Sequence, residues 1–370
     1  MGYIRGLFKN IPKPLYILPV VFAVISIVMM LSTSYDDGIV ISRTVIVQTA
    51  AYILGFAAVF IISRMNYSVL EEIQKPLYIF SVLFLLTPYL PVIGVEQYGA
   101  RSWINIGITT FQPSEIVKIT FVILMAIYLN KHRDELNHLK DFFKAVLYAA
   151  PIILIVLKDD FGSAAVFIII FIAMILFAGI DLKLFGKIAL VAVIAIPFLF
   201  KLLDAYQQQR ITAFLYPNDL SIPANYQVWQ SKVAIGSGGL FGKGLFNGEI
   251  KDLDFLPVRN SDFIFSVICE ELGFIGGAIL IGLLVWFVIS LLKLSFDVKD
   301  GFGSLVVIGF LGMFAAQIFE NIAMCMGFMP VTGITLPFIS YGGSSILSNM
   351  ICVGIILNIA ISNRGVAFIR

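Results

Sequence analysis

Ten apolar runs, most about 18 to 22 residues long, follow one another along this chain with short polar breaks between them. Wound as a helix, each run can cross roughly 30 Å of hydrocarbon. They fall at about 15–33, 45–63, 76–92, 113–130, 142–157, 162–180, 184–203, 262–292, 302–326 and 336–361. Composition agrees, because a chain that is 59% hydrophobic and 13% charged lies outside the soluble range of roughly half apolar and a quarter charged. The expected fold is an all-α polytopic integral membrane protein, one domain over 1–370, with a large extracytoplasmic loop at about 204–261.

An even number of spans puts both termini on one side, and the basic residues choose that side. Fifteen Lys and Arg, from Arg5 to Arg370, fall on the terminal side, whereas the short loops opposite hold Arg43, Arg101 and Lys158. Short basic loops resist translocation, so both termini are expected in the cytoplasm. The first apolar run is long and lacks a small-residue cleavage site, which makes it a retained span. Cys269, Cys325 and Cys352 lie inside spans, and no loop offers a cysteine pair for a disulfide or a thiolate metal site. A net charge of +2 spread in this way gives no ground for binding nucleic acid.

Polar groups within spans or at their outer ends are costly, so each invites a function. Glu115 and Lys118 share a helical face at the start of span four; a buried ion pair and a substrate-binding role explain them equally well. Gln317, Glu320 and Asn321 share a face in span nine, and Ser345, Ser348 and Asn349 one in span ten, as interhelical hydrogen bonding requires. Asp262 opens span eight, where helix capping is the plain explanation. Its place at the outer surface, beside the largest outer loop, also suits action on a lipid headgroup.

Pro330 to Ser345 is a polar, proline- and glycine-broken stretch between two apolar runs. At membrane depth such backbone is tolerated only where protein buries it or where it lines a wet cavity. The outer run Ile235-Gly-Ser-Gly-Gly-Leu-Phe-Gly-Lys243-Gly244 is not a Walker loop, since Gly244 stands where Ser or Thr belongs. It reads as an interfacial turn, or as a nest of N–H groups for pyrophosphate. Both histidines, His132 and His138, fall in a cytoplasmic loop. A catalytic outer face would therefore draw its base from Asp, Glu, Lys or Tyr.

Five segments in order resemble one family, the SEDS proteins (shape, elongation, division and sporulation) such as RodA, FtsW and SpoVE. They are Gly99 to Lys118, Asp160 to Ala164, Arg210 to Gly244, Ser261 to Gly273, and Pro330 to Ser345. The fragments at 99–103 and 230–244 are more similar to the elongation branch, RodA. Two departures stand out: Lys158-Asp159-Asp160 replaces the usual Gln-Pro-Asp, and 257–261 lacks the usual Glu and His.

The resemblance implies an inverting glycosyltransferase that polymerises lipid II, an undecaprenyl-pyrophosphate disaccharide-pentapeptide, at the outer membrane face. Asp262 would be the general base. Arg101, Lys118 and Arg210 would stabilise the departing pyrophosphate, Glu115 would orient Lys118, and Trp103 would pack on sugar or prenyl chain. Asp160, Lys232, Lys243, Ser340 and Ser344 complete the expected substrate-binding set. A divalent cation, Mg or Mn, bridging the pyrophosphate is left open, and the sequence shows no dedicated metal site. The expected partners are membrane lipid and a single-span class B penicillin-binding protein transpeptidase. A lipid II flippase, a division- or sporulation-type polymerase, and a scaffold that only docks the transpeptidase are the alternatives.

Overall fold

The computed structural model describes residues 11–363 apart from 36–40, 98–99, 106, 108–109, 202, 250–255 and 257. Arg5, Lys9, Arg364 and Arg370 of the charge asymmetry, and Pro257, lie outside the described residues. The first half contains α1 (Pro14–Thr33), α2 (Arg43–Ile62), α3 (Gln74–Leu86), β1 (Gly94–Gln97), β2 (Ala100–Asn105), β3 (Thr110–Phe111), α4 (Pro113–Lys131), α5 (Leu139–Asp159) and α6 (Phe161–Ala178). The second contains α7 (Leu182–Phe200), α8 (Ala205–Leu215), α9 (Pro223–Ser237), α10 (Ile264–Asp297), α11 (Gly301–Cys325) and α12 (Gly343–Ser362). Among the described residues, seven of these helices are long and apolar enough to cross a membrane: α1, α2, α4, α6, α10, α11 and α12. Helices α3, α5 and α7 occupy the remaining expected spans. The all-α membrane fold is as expected.

Helix ends have local causes. Pro113 begins α4, where the missing N–H costs nothing. Asp160 caps α6 by accepting from the Ser163 amide at 2.9 Å. Gly179, at φ 99°, ends it in the left-handed conformation that glycine adopts without strain.

Three boundaries differ from the sequence expectation. Span three stops being α-helical at Leu86 and passes through a short 3-10 turn into an antiparallel sheet of order β1-β2-β3. Span eight is interrupted at Gly273, with φ 69° and ψ −170°. Span ten becomes helical only at Gly343, because the residues before it commit their backbone groups to other segments.

The chain divides into two compact units. One contains α1, α2, α9, α10 and α12 with the second half of α11. Its α2–α12 seam is close: a Cβ on Gly55 would meet the Met350 side chain, and one on Gly354 would press on Val59 and Ile62. Phe338 stacks on Phe22 and Phe314 at ring separations of 5.5 and 5.2 Å and meets Phe287 edge-on at 5.4 Å. Phe338 thereby anchors the broken segment in an aromatic core.

The other unit spans 68–212 and 298–313. There Gly309 faces Val122 and Met174, and Gly312 faces Ala173, so the first half of α11 approaches α4 and α6 closely. Within α4 the apolar window is 83% buried, against 28% in α2. Helix α4 is thus enclosed by protein and can carry charge, whereas α2 faces outward.

Candidate functional site

The broken segment is a clamp on the backbone that carries Asp262. Tyr341 N–H donates to the Asn260 carbonyl at 2.8 Å, Ser340 Oγ to the Ser261 carbonyl at 2.5 Å, and Asn321 Nδ2 to the Asp262 carbonyl at 2.7 Å. Three successive carbonyls are thereby fixed from outside the segment. Buried backbone acceptors left without partners would be costly, so this stretch has little freedom to shift. The Asp262 residue itself is half-buried.

The clamp is braced from α1 and α2. Tyr52 Oη donates to the Phe338 carbonyl, Ser26 Oγ to the Ile339 carbonyl at 2.8 Å, and Gln48 Nε2 to the Ser340 carbonyl at 2.9 Å. Gln48 Oε1 in turn accepts from Gly342 N–H at 3.2 Å. Phe338 sits at φ 66°, a left-handed conformation that a bulky residue adopts only where its surroundings enforce it. The aromatic core and these bonds supply that enforcement. Ser340, expected at the substrate, has its hydroxyl between Leu336 N–H and the Ser261 carbonyl; Ser344 is buried at the start of α12.

The glycine-rich outer run meets the break at Gly273. Lys243 N–H and Gly244 N–H donate to the Glu270 and Glu271 carbonyls, each at 3.0 Å. Phe274 N–H and Ile275 N–H donate back to Gly239 and Leu240 carbonyls at 2.8 and 3.2 Å. Glycine is required at this crossing, because a Cβ on Gly242 would overlap the Glu271 carbonyl and one on Gly273 the Gly242 amide. Of the two readings the sequence left open, the structure gives these N–H groups to protein carbonyls.

Lys243 Nζ pairs with Glu270 at 2.9 Å and with Glu249 at 3.2 Å. Partial burial pulls the lysine pKa down, but the hydrogen bonds and charges of Glu270 and Glu249 outweigh it and hold the pKa above the ordinary value. Lys232 is exposed on α9, its side chain alongside Gly327.

Arg101, Trp103, Glu115, Lys118, Asp160 and Arg210 belong to the other unit. Lys118 and Glu115 form a 2.8 Å ion pair, their side chains 1% and 7% exposed. One turn of α4 thus neutralises its own buried charge. Arg101 and Trp103 alternate on β2 and so share a sheet face; Trp103 is half-buried opposite Val95. Arg101, Ser114, Asp159 and Asp160 line a common cleft. Asp160 also accepts from Gln112 Nε2 at 2.9 Å and Ser163 Oγ at 2.7 Å, which ties the start of α4 to the start of α6. Arg210 is half-buried on α8.

The departures at 158–159 have a local use. Tyr89 donates its hydroxyl to Asp159, and the Lys158 ammonium lies 4.4 Å from the centre of the Tyr89 ring. Among the described residues no group of three or more His, Cys, Asp or Glu converges on one point. All three cysteines are buried, and none is in a disulfide.

Sequence reasoning missed the bracing by Ser26, Gln48 and Tyr52 and the grip of Glu270 and Glu271 on the outer loop. Polar residues inside α1 and α2 were the available signal. Asn321 was legible as a hydrogen-bonding residue, though not the carbonyl it serves.

Residues 13–365 match the family model FTSW_RODA_SPOVE, described as cell cycle protein. The chain is 33% identical over 341 residues to the probable peptidoglycan glycosyltransferase FtsW of Geobacter sp. (strain M18), covering 92% of each. It is 31% identical over 360 residues to stage V sporulation protein E of Bacillus subtilis (strain 168), covering 95% of this chain and 97% of the relative. With the peptidoglycan glycosyltransferase MrdB of Escherichia coli (strain K12) it shares 33% over 307 residues, 83% of this chain and 82% of the relative. A chain solved for the structural coordination of polymerization and crosslinking by a peptidoglycan synthase complex superposes with a TM-score of 0.81 at 26% identity, covering 96% of this chain and 99% of that one. The rod shape determining protein RodA of Thermus thermophilus gives 0.70 at 26% identity, covering 95% and 97%. Matched to the family model over residues 13–365 and to these relatives over most of their length, the chain belongs to the FtsW, RodA and SpoVE family of membrane proteins.

Proposed function

We propose that this protein is a peptidoglycan glycosyltransferase of the bacterial cytoplasmic membrane, polymerising lipid II at the outer face with both termini in the cytoplasm. The observation that carries the site assignment is the half-buried Asp262, held on a backbone whose carbonyls at 260, 261 and 262 are each bonded from elsewhere in the chain. A general base acts through geometry before pKa, and a backbone fixed at 260–262 supports that role for Asp262.

In the reaction, the acceptor sugar 4-hydroxyl attacks the anomeric carbon of the donor. The new O4–C1 bond forms as the C1–O bond to pyrophosphate breaks, and the configuration inverts. Asp262 takes the hydroxyl proton; the leaving electron pair departs with undecaprenyl pyrophosphate. Because the leaving group arrives preactivated, no nucleotide domain is needed. Arg101, Lys118 and Arg210 are the cations assigned to the departing pyrophosphate, and fixed positive charge is most effective where water is excluded. Trp103 is assigned to the sugar or prenyl chain, and Asp160 holds the start of α4, on which Glu115 stands. No step is routed through a metal ion.

The partner in this reading is a single-span class B penicillin-binding protein, in keeping with the synthase complex from which a similar chain was solved. The role in elongation rests on the fragments at 99–103 and 230–244; relatives named FtsW, stage V sporulation protein E and MrdB are 33%, 31% and 33% identical. The test is purified protein with labelled lipid II, with and without the transpeptidase, products resolved by gel. Polymer from wild type and none from Asp262→Ala is expected. Lipid II moved across vesicles but left unpolymerised would overturn the proposal in favour of a flippase.

A further inference from the structure

We propose that Lys243 and Glu270 form a latch that positions Asp262, so that both are positioning residues and Lys243 is not a pyrophosphate ligand. This rests on Asp262 being the base.

Helix α10 has 34 residues, but its hydrogen-bond ladder is interrupted at Gly273. At the break, the carbonyls of Glu270 and Glu271 and the amides of Phe274 and Ile275 are all bonded to residues 239–244. The outer loop therefore splices two helical pieces. The outer piece, Ile264–Leu272, begins two residues after Asp262. At about 1.5 Å per residue, the inner piece alone is long enough to cross the hydrocarbon, which leaves the outer piece free to serve the site.

What holds the loop on that outer piece is a pair of buried carboxylates. Glu270, 1% exposed, accepts from Lys243 Nζ at 2.9 Å and from Glu249 N–H at 3.0 Å. Glu271, fully buried, accepts from Phe246 N–H at 3.3 Å and from Ser32 Oγ of α1 at 2.5 Å. Gly248 lies against both carboxylates, where a Cβ would come within 3.1 Å of Glu270 and 3.2 Å of Glu271. The Glu249 carboxylate is 73% exposed and contributes little to the pair; the buried Glu270 is the partner that counts. A pyrophosphate bound at Lys243 would have to approach against both carboxylates. The lysine thus joins loop to helix, and the helix sets where Asp262 stands.

Steady-state polymerisation at varied lipid II, with detergent melts alongside, tests the latch in Lys243→Met, Lys243→Arg, Glu270→Gln and Glu270→Asp. The expected result for Lys243→Met and Glu270→Gln is a loss in kcat on the order of 10²-fold, the cost of about 1 Å of misplacement, with KM for lipid II unchanged. Lys243→Arg, which keeps the charge, restores most of the rate. Glu270→Asp keeps the charge and shortens the reach, so it remains informative where a neutral variant fails to fold; its kcat falls and its KM holds. A raised KM at normal kcat in Lys243→Met would overturn the latch and make Lys243 a substrate ligand. Unchanged kinetics in Glu270→Asp or Lys243→Met would overturn it as well. Asp262→Asn, run in parallel, separates the two proposals: normal turnover there removes the base, whereas an inactive Asp262→Asn beside a normal Lys243→Met removes the latch alone.

Discussion

Asn321 donates a 2.7 Å hydrogen bond to the main-chain carbonyl of Asp262 and, through the same amide nitrogen, a 2.8 Å bond to the carbonyl of Ile334. One fully buried side chain on α11 therefore joins Asp262 to the broken segment before α12. Asn321→Ala leaves two buried acceptors without that donor. It should destabilise the fold by about 1–3 kcal/mol and lower kcat while lipid II still binds. A variant with wild-type kcat would show that the clamp is dispensable for catalysis.

The pair of Glu115 and Lys118 makes the opposite kind of prediction, because its partners sit on the same turn. Glu115→Gln removes the carboxylate that accepts from the fully buried Lys118 ammonium. Breaking such a pair costs about 3–5 kcal/mol, so both the melting temperature and the activity should fall. A detergent melt that does not move would contradict the buried pairing.

Gly242 and Gly273 meet at positive φ, 80° and 69°, with no room for a methyl group on either. Alanine at either position forces the loop off the helix break. Left-handed backbone costs an ordinary residue about 1–2 kcal/mol, and the overlap with backbone atoms adds to it. Gly242→Ala and Gly273→Ala should both melt earlier and lose activity. Gly236→Ala, where a Cβ meets nothing within 4 Å, should do neither.

The latch also sets a pH dependence. The pKa of Lys243 is raised above its ordinary value of 10.5, with the Glu270 and Glu249 contacts outweighing desolvation. For a group whose folded pKa is raised, the stabilisation is complete below the unfolded value and is lost as pH rises through the folded one. Wild-type melting temperature should therefore decline above pH 10.5 by an increment that Lys243→Met lacks. Identical alkaline profiles would count against the ion pair.

Much of this was legible in the amino-acid order. The spans, the place of Asp262 at the start of span eight and the irregular stretch from Pro330 all follow from local composition. The fold departs from that outline where backbone groups pair over distance, as between Tyr341 and Asn260 or between Gly244 and Glu271. The sheet at 94–111 is of this kind, with strands of 4, 6 and 2 residues carrying too little pattern to stand out. The glycine-rich run shows the limit best: its glycines signal close approach of backbone, and a phosphate or another segment of the chain satisfies that signal equally.

By itself, then, the sequence determined which segments are long and apolar enough to cross the membrane and which charged residues lie between them, because apolar length acts locally and needs no partner. Tertiary structure alone decided that Ser340 and Asn321 hold the Asp262 backbone and that Lys243 answers to Glu270. A hydrogen-bonding group carries the same capacity wherever the chain goes. Only packing determines which of the acceptors within reach it is buried against.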